Sequence, residues 1–248
     1  MLLHRILAVA VLAGAITGFA VTGLQFAWTA PLIQAAEVYE NAAAQAPAHE
    51  HAATLHEHGA GAGQSHAVPA AEAWEPADGI GRTFWTLVAN VLVGVGGGLI
   101  LAAVFSLRRG VDLKTGLVFG AAAFAAFGLA PSLGLPPELP GTAAAALGVR
   151  QAWWAGTAAA TIAGLAAVFY GRQPWLKAAG ALLLVVPHLI GAPVPVVHEA
   201  LAPAALQREF VAASLVNSAT FWLLLGGLTG WLTRRLHDPE TEVAGEAA

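Results

Sequence analysis

The sequence predicts an all-α integral membrane protein with about six transmembrane helices and one long His-rich extracytoplasmic loop. Two observations predict this fold class. Of the 248 residues, 57% are hydrophobic and only 10% are charged, whereas about 25% of the residues in soluble domains are charged. In addition, six apolar stretches approach or exceed the roughly 17 to 25 residues that a helix needs to cross a bilayer.

The first predicted span covers residues 6–33 and follows His4 and Arg5. A secretory signal peptide has an apolar core of about 7 to 15 residues, so we expect this longer run to remain as a helix. The fifth span is the weakest because Pro187, Pro193 and Pro195 interrupt it. The remaining spans are predicted at residues 83–107, 116–135, 152–170, 178–197 and 211–233.

Pairs of glycines four residues apart occur in three of these spans. They are Gly14 and Gly18, Gly94 and Gly98, and Gly226 and Gly230. Such pairs allow the backbones of two membrane helices to approach closely, so we expect each pair to lie at a helix contact. The glycine run around Gly94 is not followed by the Lys-Ser/Thr of a phosphate-binding loop, and no nucleotide site is expected.

The long polar stretch at residues 37–82 contains five of the nine histidines. Two His-Glu-His triplets in it supply imidazoles and carboxylates, which are the groups that bind divalent ions. The chain has no cysteine, so thiolate ligands and disulfides are excluded. The alternative is a solvated, His-biased linker, because composition alone carries this assignment. The predicted metal ligands in this loop are His49, His51, His56, His58 and His66.

The basic residues predict the orientation, since cytoplasmic loops carry an excess of Lys and Arg. Six spans place eight of the eleven basic residues on one side of the membrane and the His-rich loop on the other. We therefore expect both termini to be cytoplasmic, with residues 234–248 forming a cytoplasmic tail. The eight residues are Arg5, Arg108, Arg109, Lys114, Arg172, Lys177, Arg234 and Arg235.

Four polar side chains fall inside the spans at a similar depth of about 10–15 Å from the outer ends. Gln25, Asn90 and Asn217 are of the type that usually forms hydrogen bonds between membrane helices. His188 is different because an ionisable residue inside a membrane indicates function, and the preceding Pro187 has no N–H group. We expect His188 to bind metal in a transport path, with the three amides facing it.

Two Pro-rich connections, residues 130–141 and 187–203, are predicted on the outer side. Proline restricts the backbone, so these turns suit a fixed vestibule. Glu138, His198 and Glu199 are predicted as a second set of metal ligands there. Alternatively, the prolines merely end helices and Glu138 is solvated.

Five motifs resemble the CbtA family: AEVYE at 36–40, EAWEPADGIGRT at 72–83, LPPELPG at 135–141, RQAWW at 150–154 and PHLIGAP at 187–193. This family is described as a predicted cobalt transporter subunit that works with CbtB, a small single-span protein with its own His motif, and is associated with cobalamin synthesis. The resemblance implies cobalt uptake across the bacterial cytoplasmic membrane. Two departures stand out: Gly81 occupies a position where the family usually has an acid before Arg82, and the family is usually counted as having five spans.

The ligand chemistry does not select cobalt, because imidazole sites hold nickel, zinc or copper at least as well. The identity of the divalent ion therefore rests on the resemblance. A membrane scaffold that binds metal without moving it is the alternative function. We expect no enzyme and no nucleic-acid partner: haem would need paired intramembrane histidines, and Ser132 lacks the glycines that flank the serine of a rhomboid-like protease.

Overall fold

The computed structural model describes residues 2–45, 79–196 and 199–236, which fold into helices joined by short connections. Two π-helical segments, Gln25–Thr29 and Phe124–Leu129, join α1 to α2 and α4 to α5 without a break. The described residues thus form six helical rods. The α-helices are α1 (Leu2–Leu24), α2 (Ala30–Gln45), α3 (Ile80–Ser106), α4 (Leu113–Ala123), α5 (Ala130–Ser132), α6 (Leu147–Tyr170), α7 (Pro174–Ile190) and α8 (Ala204–Arg235).

Five of these rods are long and apolar enough to cross a membrane. The sixth, α7, has 17 residues and is about 26 Å long at 1.5 Å per residue. That length is slightly below the roughly 30 Å of a hydrocarbon core. The predicted fold class, an all-α integral membrane protein, is confirmed.

Several boundaries differ from those expected. Residues 37–45 and 80–82, which were assigned to the His-rich loop, belong to α2 and α3. The first stretch is rich in alanine, which favours a helix even where the sequence is polar. The fifth span ends at Ile190 and not at residue 197, because Gly191 adopts a φ of 84°, a conformation that terminates an α-helix.

Glycines hold the rods together in pairs, as the three spaced glycine pairs predict. A Cβ atom added at Gly94 of α3 would lie 2.5 Å from the carbonyl oxygen of Gly14 in α1. On α8, a Cβ atom at Gly226 would lie 2.7 Å from the Cα atom of Gly120 in α4. Both distances are shorter than a carbon side chain tolerates, so only glycine permits these backbone contacts.

A third glycine contact joins α6 and α7. A Cβ atom at Gly180 would lie 2.7 Å from the carbonyl oxygen of Gly164. The spacing rule did not identify these two residues because neither belongs to a pair four residues apart. The contact makes α6 and α7 a hairpin. This hairpin contacts the other four rods mainly through the π-helical segment Phe124–Leu129 and α5.

The two Pro-rich connections lie against each other at one end of the bundle. Thr142 and Ala200 form an isolated antiparallel bridge. The N–H of Ala143 donates to the carbonyl oxygen of Glu199 at 2.8 Å, and the N–H of Leu201 donates to that of Gly141 at 3.2 Å. The two turns therefore form one cap over the bundle.

Gln207, in the first turn of α8, fixes this cap to the helices. Its Nε2 donates to the carbonyl oxygen of Pro137 at 2.7 Å, and its Oε1 accepts from the N–H of Leu139 at 3.2 Å. The side chain of Leu139 is buried in a cluster with Leu32 of α2 and Phe210 of α8. The cap thus connects α2 to α8.

Candidate functional site

A cavity of about 900 Å³ lies between the α1–α2 rod, α3, the α4–α5 rod and α8, and it reaches the hairpin at Trp154. We call it the central cavity. Its wall is mostly apolar, with polar side chains at several levels. These polar residues are Gln25, Thr29, Gln34, Glu37, Arg82, Thr86, Asn90, Ser214, Asn217 and Ser218.

Three amide side chains line the central cavity, those of Gln25, Asn90 and Asn217. The Nδ2 group of Asn90 donates to Gln25 Oε1 at 2.7 Å and to Thr22 Oγ1 at 2.9 Å. Because both donor hydrogens of Asn90 are used, its carbonyl oxygen is left as an acceptor. Asn217 adds a second oxygen, since its buried Oδ1 has no hydrogen-bond partner among the described residues. All three amides thus line one cavity, and the bond between Asn90 and Gln25 is of the type expected between membrane helices.

Both π-helical segments border this cavity, one through Gln25 and Thr29 and the other through Phe127. Single-turn π-helical segments in α-helices frequently occur at functional sites. The spacing of apolar residues did not predict these two segments. The available signal was an Ala-Pro pair inside an apolar span, at residues 30–31 and 130–131.

The two prolines explain why the helices widen at these points. Proline lacks an N–H group and its ring clashes with the carbonyl four residues before it. Here the N–H of Ala30, just before Pro31, donates to a carbonyl oxygen five residues back, and that of Ala130 before Pro131 does the same. In the widened turns, some carbonyl groups close to the cavity therefore lack the N–H partner that they would have in an α-helix.

An ion pair lies at the mouth of the central cavity, where α3 begins. Arg82 Nη1 of α3 lies 2.9 Å from Glu37 Oε1 of α2, and both side chains are partly exposed. The chain has Gly81 where a neighbouring acid was expected, and the structure supplies the acid from α2. This contact links two of the motifs on which the family resemblance depends.

A second cavity of about 730 Å³ lies under the Pro-rich turn that follows α5. We call it the outer cavity. Glu138 borders it and lies 2.8 Å from Arg150 Nη2 of α6. Glu138 is therefore ion-paired, which neither the ligand prediction nor the solvated alternative anticipated.

The two cavities share a wall formed by Phe127, Trp154, Ser214 and Ser218. The Phe127 ring is stacked between two indoles. Its centroid lies 6.0 Å from that of Trp154 and 5.2 Å from that of Trp222, with interplanar angles of 28° and 23°. The wall is thus aromatic, with two hydroxyl groups beside it.

His188 does not lie in this arrangement, and its predicted convergence with Asn90 and Asn217 is wrong. It is half-buried on α7, with its ring edge-on to Trp153 at 6.2 Å between centroids. α7 packs against α6 through the glycine contact and not against α1, α3 or α8. Pro187 does not break the helix either, because α7 runs from Pro174 to Ile190 with this proline inside it. Metal binding by His188 stays a prediction.

The other predicted ligands are not brought together by the described part of the chain. Glu199 is exposed and uses its backbone oxygen in the cap. Among residues 2–45, 79–196 and 199–236, no three His, Asp or Glu side chains are close enough to hold a metal ion. The remaining predicted ligands, which lie outside the described residues, are His49, His51, His56, His58, His66 and His198.

Comparison with known proteins gives one family. A family model described as "Probable cobalt transporter subunit (CbtA)" matches residues 3–234, a range that reaches from the first helical rod to the last and leaves out one residue at each end. No curated protein and no solved structure matches the chain.

Proposed function

We propose that this chain, which belongs to the CbtA family, is the membrane subunit of a divalent-metal uptake transporter with cobalt as its substrate. The family match over residues 3–234 carries the proposal. The central cavity supports it, because a polar layer inside an apolar bundle suits the passage of an ion.

We place the metal path in the central cavity. A divalent ion loses its hydration in hydrocarbon at a large free-energy cost unless polar groups replace the water. The carbonyl oxygens of Asn90 and Asn217 are suitable groups, since neither accepts a hydrogen bond from another described residue. Amide oxygens are neutral and bind weakly, and weak binding lets an ion leave the site again.

Glu37 is the proposed entry point. Its carboxylate stands at the mouth of the central cavity and is neutralised by Arg82 at 2.9 Å. A divalent ion attracts a carboxylate more strongly than a single guanidinium charge does at the same distance. On entry, the metal would therefore replace Arg82 as the partner of the Glu37 carboxylate. Monovalent ions would compete poorly for this carboxylate.

Capture is proposed to begin in the His-rich segment. His49, His51, His56 and His58 stand in the two His-Glu-His triplets, and neutral imidazole binds cobalt, nickel, zinc and copper. A small single-span partner of the CbtB type and a link to cobalamin synthesis are proposed from the family resemblance. The chain itself supplies no feature that selects cobalt over nickel.

The direct test is metal uptake by purified protein in liposomes that contain a metal-sensitive dye. We expect cobalt to enter, alone or after addition of the single-span partner, and nickel and zinc provide the competition series. Binding of cobalt at equilibrium with no entry under either condition would contradict transport and support the metal-binding scaffold. Liposomes without protein give the leak rate.

A further inference from the structure

We infer that the Phe127 ring is a gate between the outer cavity and the central cavity. The inference rests on the proposed function, because a gate matters only where an ion passes. It goes beyond that function by assigning one side chain to a barrier between the two cavities, which would be a second way into the central cavity besides the one at Glu37.

The position of Phe127 carries the first step. It lines both cavities, together with Trp154, Ser214 and Ser218. The outer cavity is bordered by the Pro-rich turn and Arg150, at the end of the bundle where α6 begins. The central cavity extends down α3 as far as Leu101, close to the opposite end of that helix. Removing the ring would therefore open the central cavity to the outer cavity, in addition to its mouth beside Glu37 and Arg82.

The chemistry of the wall carries the second step. Phe127 is stacked between Trp154 and Trp222, and an apolar constriction stops hydrated ions by excluding water. Ser214 and Ser218 lie in the same wall. If the ring turned away, their hydroxyl groups would line the opening and could replace part of the hydration of a divalent cation.

The backbone carries the third step. In an α-helix the carbonyl of Phe127 would accept the N–H of residue 131, but Pro131 has none. Gly128 follows directly, and its missing side chain leaves room for Ser218 Oγ, which lies 2.7 Å from the position of an added Cβ. The gate therefore stands at a turn that lacks one α-helical hydrogen bond, whereas Gly116 and Gly120 in α4 are held by backbone contacts with α8.

Single-cysteine labelling tests the gate, since the natural chain has no cysteine. Asn217→Cys reports on the central cavity and Gln151→Cys on the outer cavity. A small, cationic, membrane-impermeant thiol reagent is applied to reconstituted protein from the side of residues 133–146, without metal. If the Phe127 ring excludes water and ions, Phe127→Ala should raise the labelling rate at position 217 about tenfold or more and change that at position 151 less than about twofold.

Trp154→Ala, which removes the other ring of the shared wall, should have the same effect and replaces Phe127→Ala if that variant does not fold. Phe169→Ala is the matched control, because this ring of α6 is 71% exposed and borders neither cavity. Equal labelling of position 217 with and without the Phe127 ring would overturn the inference. Because no metal is present, a positive labelling result combined with absent cobalt uptake would refute the proposed function and leave the gate standing.

Discussion

Asn217 is the side chain whose environment most clearly requires an explanation. Its Oδ1 is buried and lacks a hydrogen-bond partner among the described residues, and leaving a buried acceptor unsatisfied costs about 1–3 kcal/mol. Asn90, at the same cavity, has its donors satisfied by Gln25 and Thr22. The contrast makes Asn217 the side chain best prepared to accept a cation or its bound water.

The first prediction compares Asn217 with His188. Asn217→Ala should lower the initial rate of cobalt uptake by about fivefold or more, because a single charge-assisted contact contributes about 1.5–3 kcal/mol. His188→Ala should have a smaller effect, since the ring packs on Trp153 away from the central cavity. Uptake in liposomes measures both, and thermal unfolding shows whether each variant is folded.

The matched control is Thr220→Ala on the same helix, where the hydroxyl donates to the carbonyl of Val216 in α8 itself. Loss of uptake in His188→Ala together with normal uptake in Asn217→Ala would restore the path through His188 that the sequence suggests.

Asp112 provides a prediction about pH. Its carboxylate caps α4 by accepting the backbone N–H of Thr115 at 2.8 Å and its hydroxyl at 2.9 Å. These two hydrogen bonds, the backbone one first, lower the pKa of the Asp112 carboxyl from its ordinary value of 3.8. Because the pKa is lower in the folded than in the unfolded protein, the cap stabilises above 3.8 and its contribution is lost as the pH falls through the lowered value.

Asp112→Ala should therefore lower the melting temperature at pH 7, and the difference from the natural protein should shrink below about pH 4, near the ordinary pKa of aspartate. Asp112→Asn keeps an acceptor oxygen without a titrating charge, so its difference should vary much less with pH. Melting temperatures between pH 7 and pH 3 provide the measurement. A difference for Asp112→Ala that is constant over this range would contradict the assigned role.

At the scale of the helices, close glycine contacts decide which rods pair. Gly94 and Gly96 offer a direct comparison because they lie two residues apart in α3. A Cβ atom at Gly94 would meet the Gly14 carbonyl at 2.5 Å, whereas one at Gly96 would meet nothing within 4 Å. The same substitution should thus have opposite effects at the two sites.

Gly94→Ala should destabilise the protein by about 1–3 kcal/mol, the usual cost of overpacking. Gly96→Ala should be neutral or stabilising by up to about 1 kcal/mol, because alanine favours a helix over glycine. Unfolding in mixed detergent micelles measures both variants against the natural protein. If the two variants are equally stable, the α1–α3 contact is not as close as the structure describes.

The His-rich segment has its own prediction. Replacing His49, His51, His56 and His58 by Ala should raise the cobalt concentration for half-maximal uptake and leave the saturated rate nearly unchanged. A capture segment concentrates metal without forming the path. The advantage of the natural segment should also fade as the pH falls through about 6.5, where imidazole becomes protonated and releases metal. Collapse of the saturated rate would place these histidines in the path itself.

For the whole molecule, the orientation in the membrane remains to be tested. Eight basic residues flank one end of the rods, and the excess of Lys and Arg predicts that this end is cytoplasmic. A cysteine at Ala60 should then react with an impermeant thiol reagent in intact cells, and one at Ala244 should react only after lysis. Reversed labelling would invert the direction of transport in the proposal.

The sequence by itself determined that the protein is a bundle of membrane helices and which polar residues belong to it. Hydrophobicity and charge act locally along the chain, so the spans and the presence of Gln25, Asn90 and Asn217 within them follow from composition and length. The spaced glycines also identified two of the three close helix contacts.

Only the tertiary structure decided which of these residues meet. Asn90 bonds Thr22 across 68 residues and Arg82 bonds Glu37 across 45, and no local pattern encodes such pairs. Residues at equal depth face each other only if their helices pack side by side. Small residues let two helix backbones approach closely, and the contact of Gly164 with Gly180 pairs α7 with α6. His188 therefore lies beside α6 and apart from the amides at its own depth.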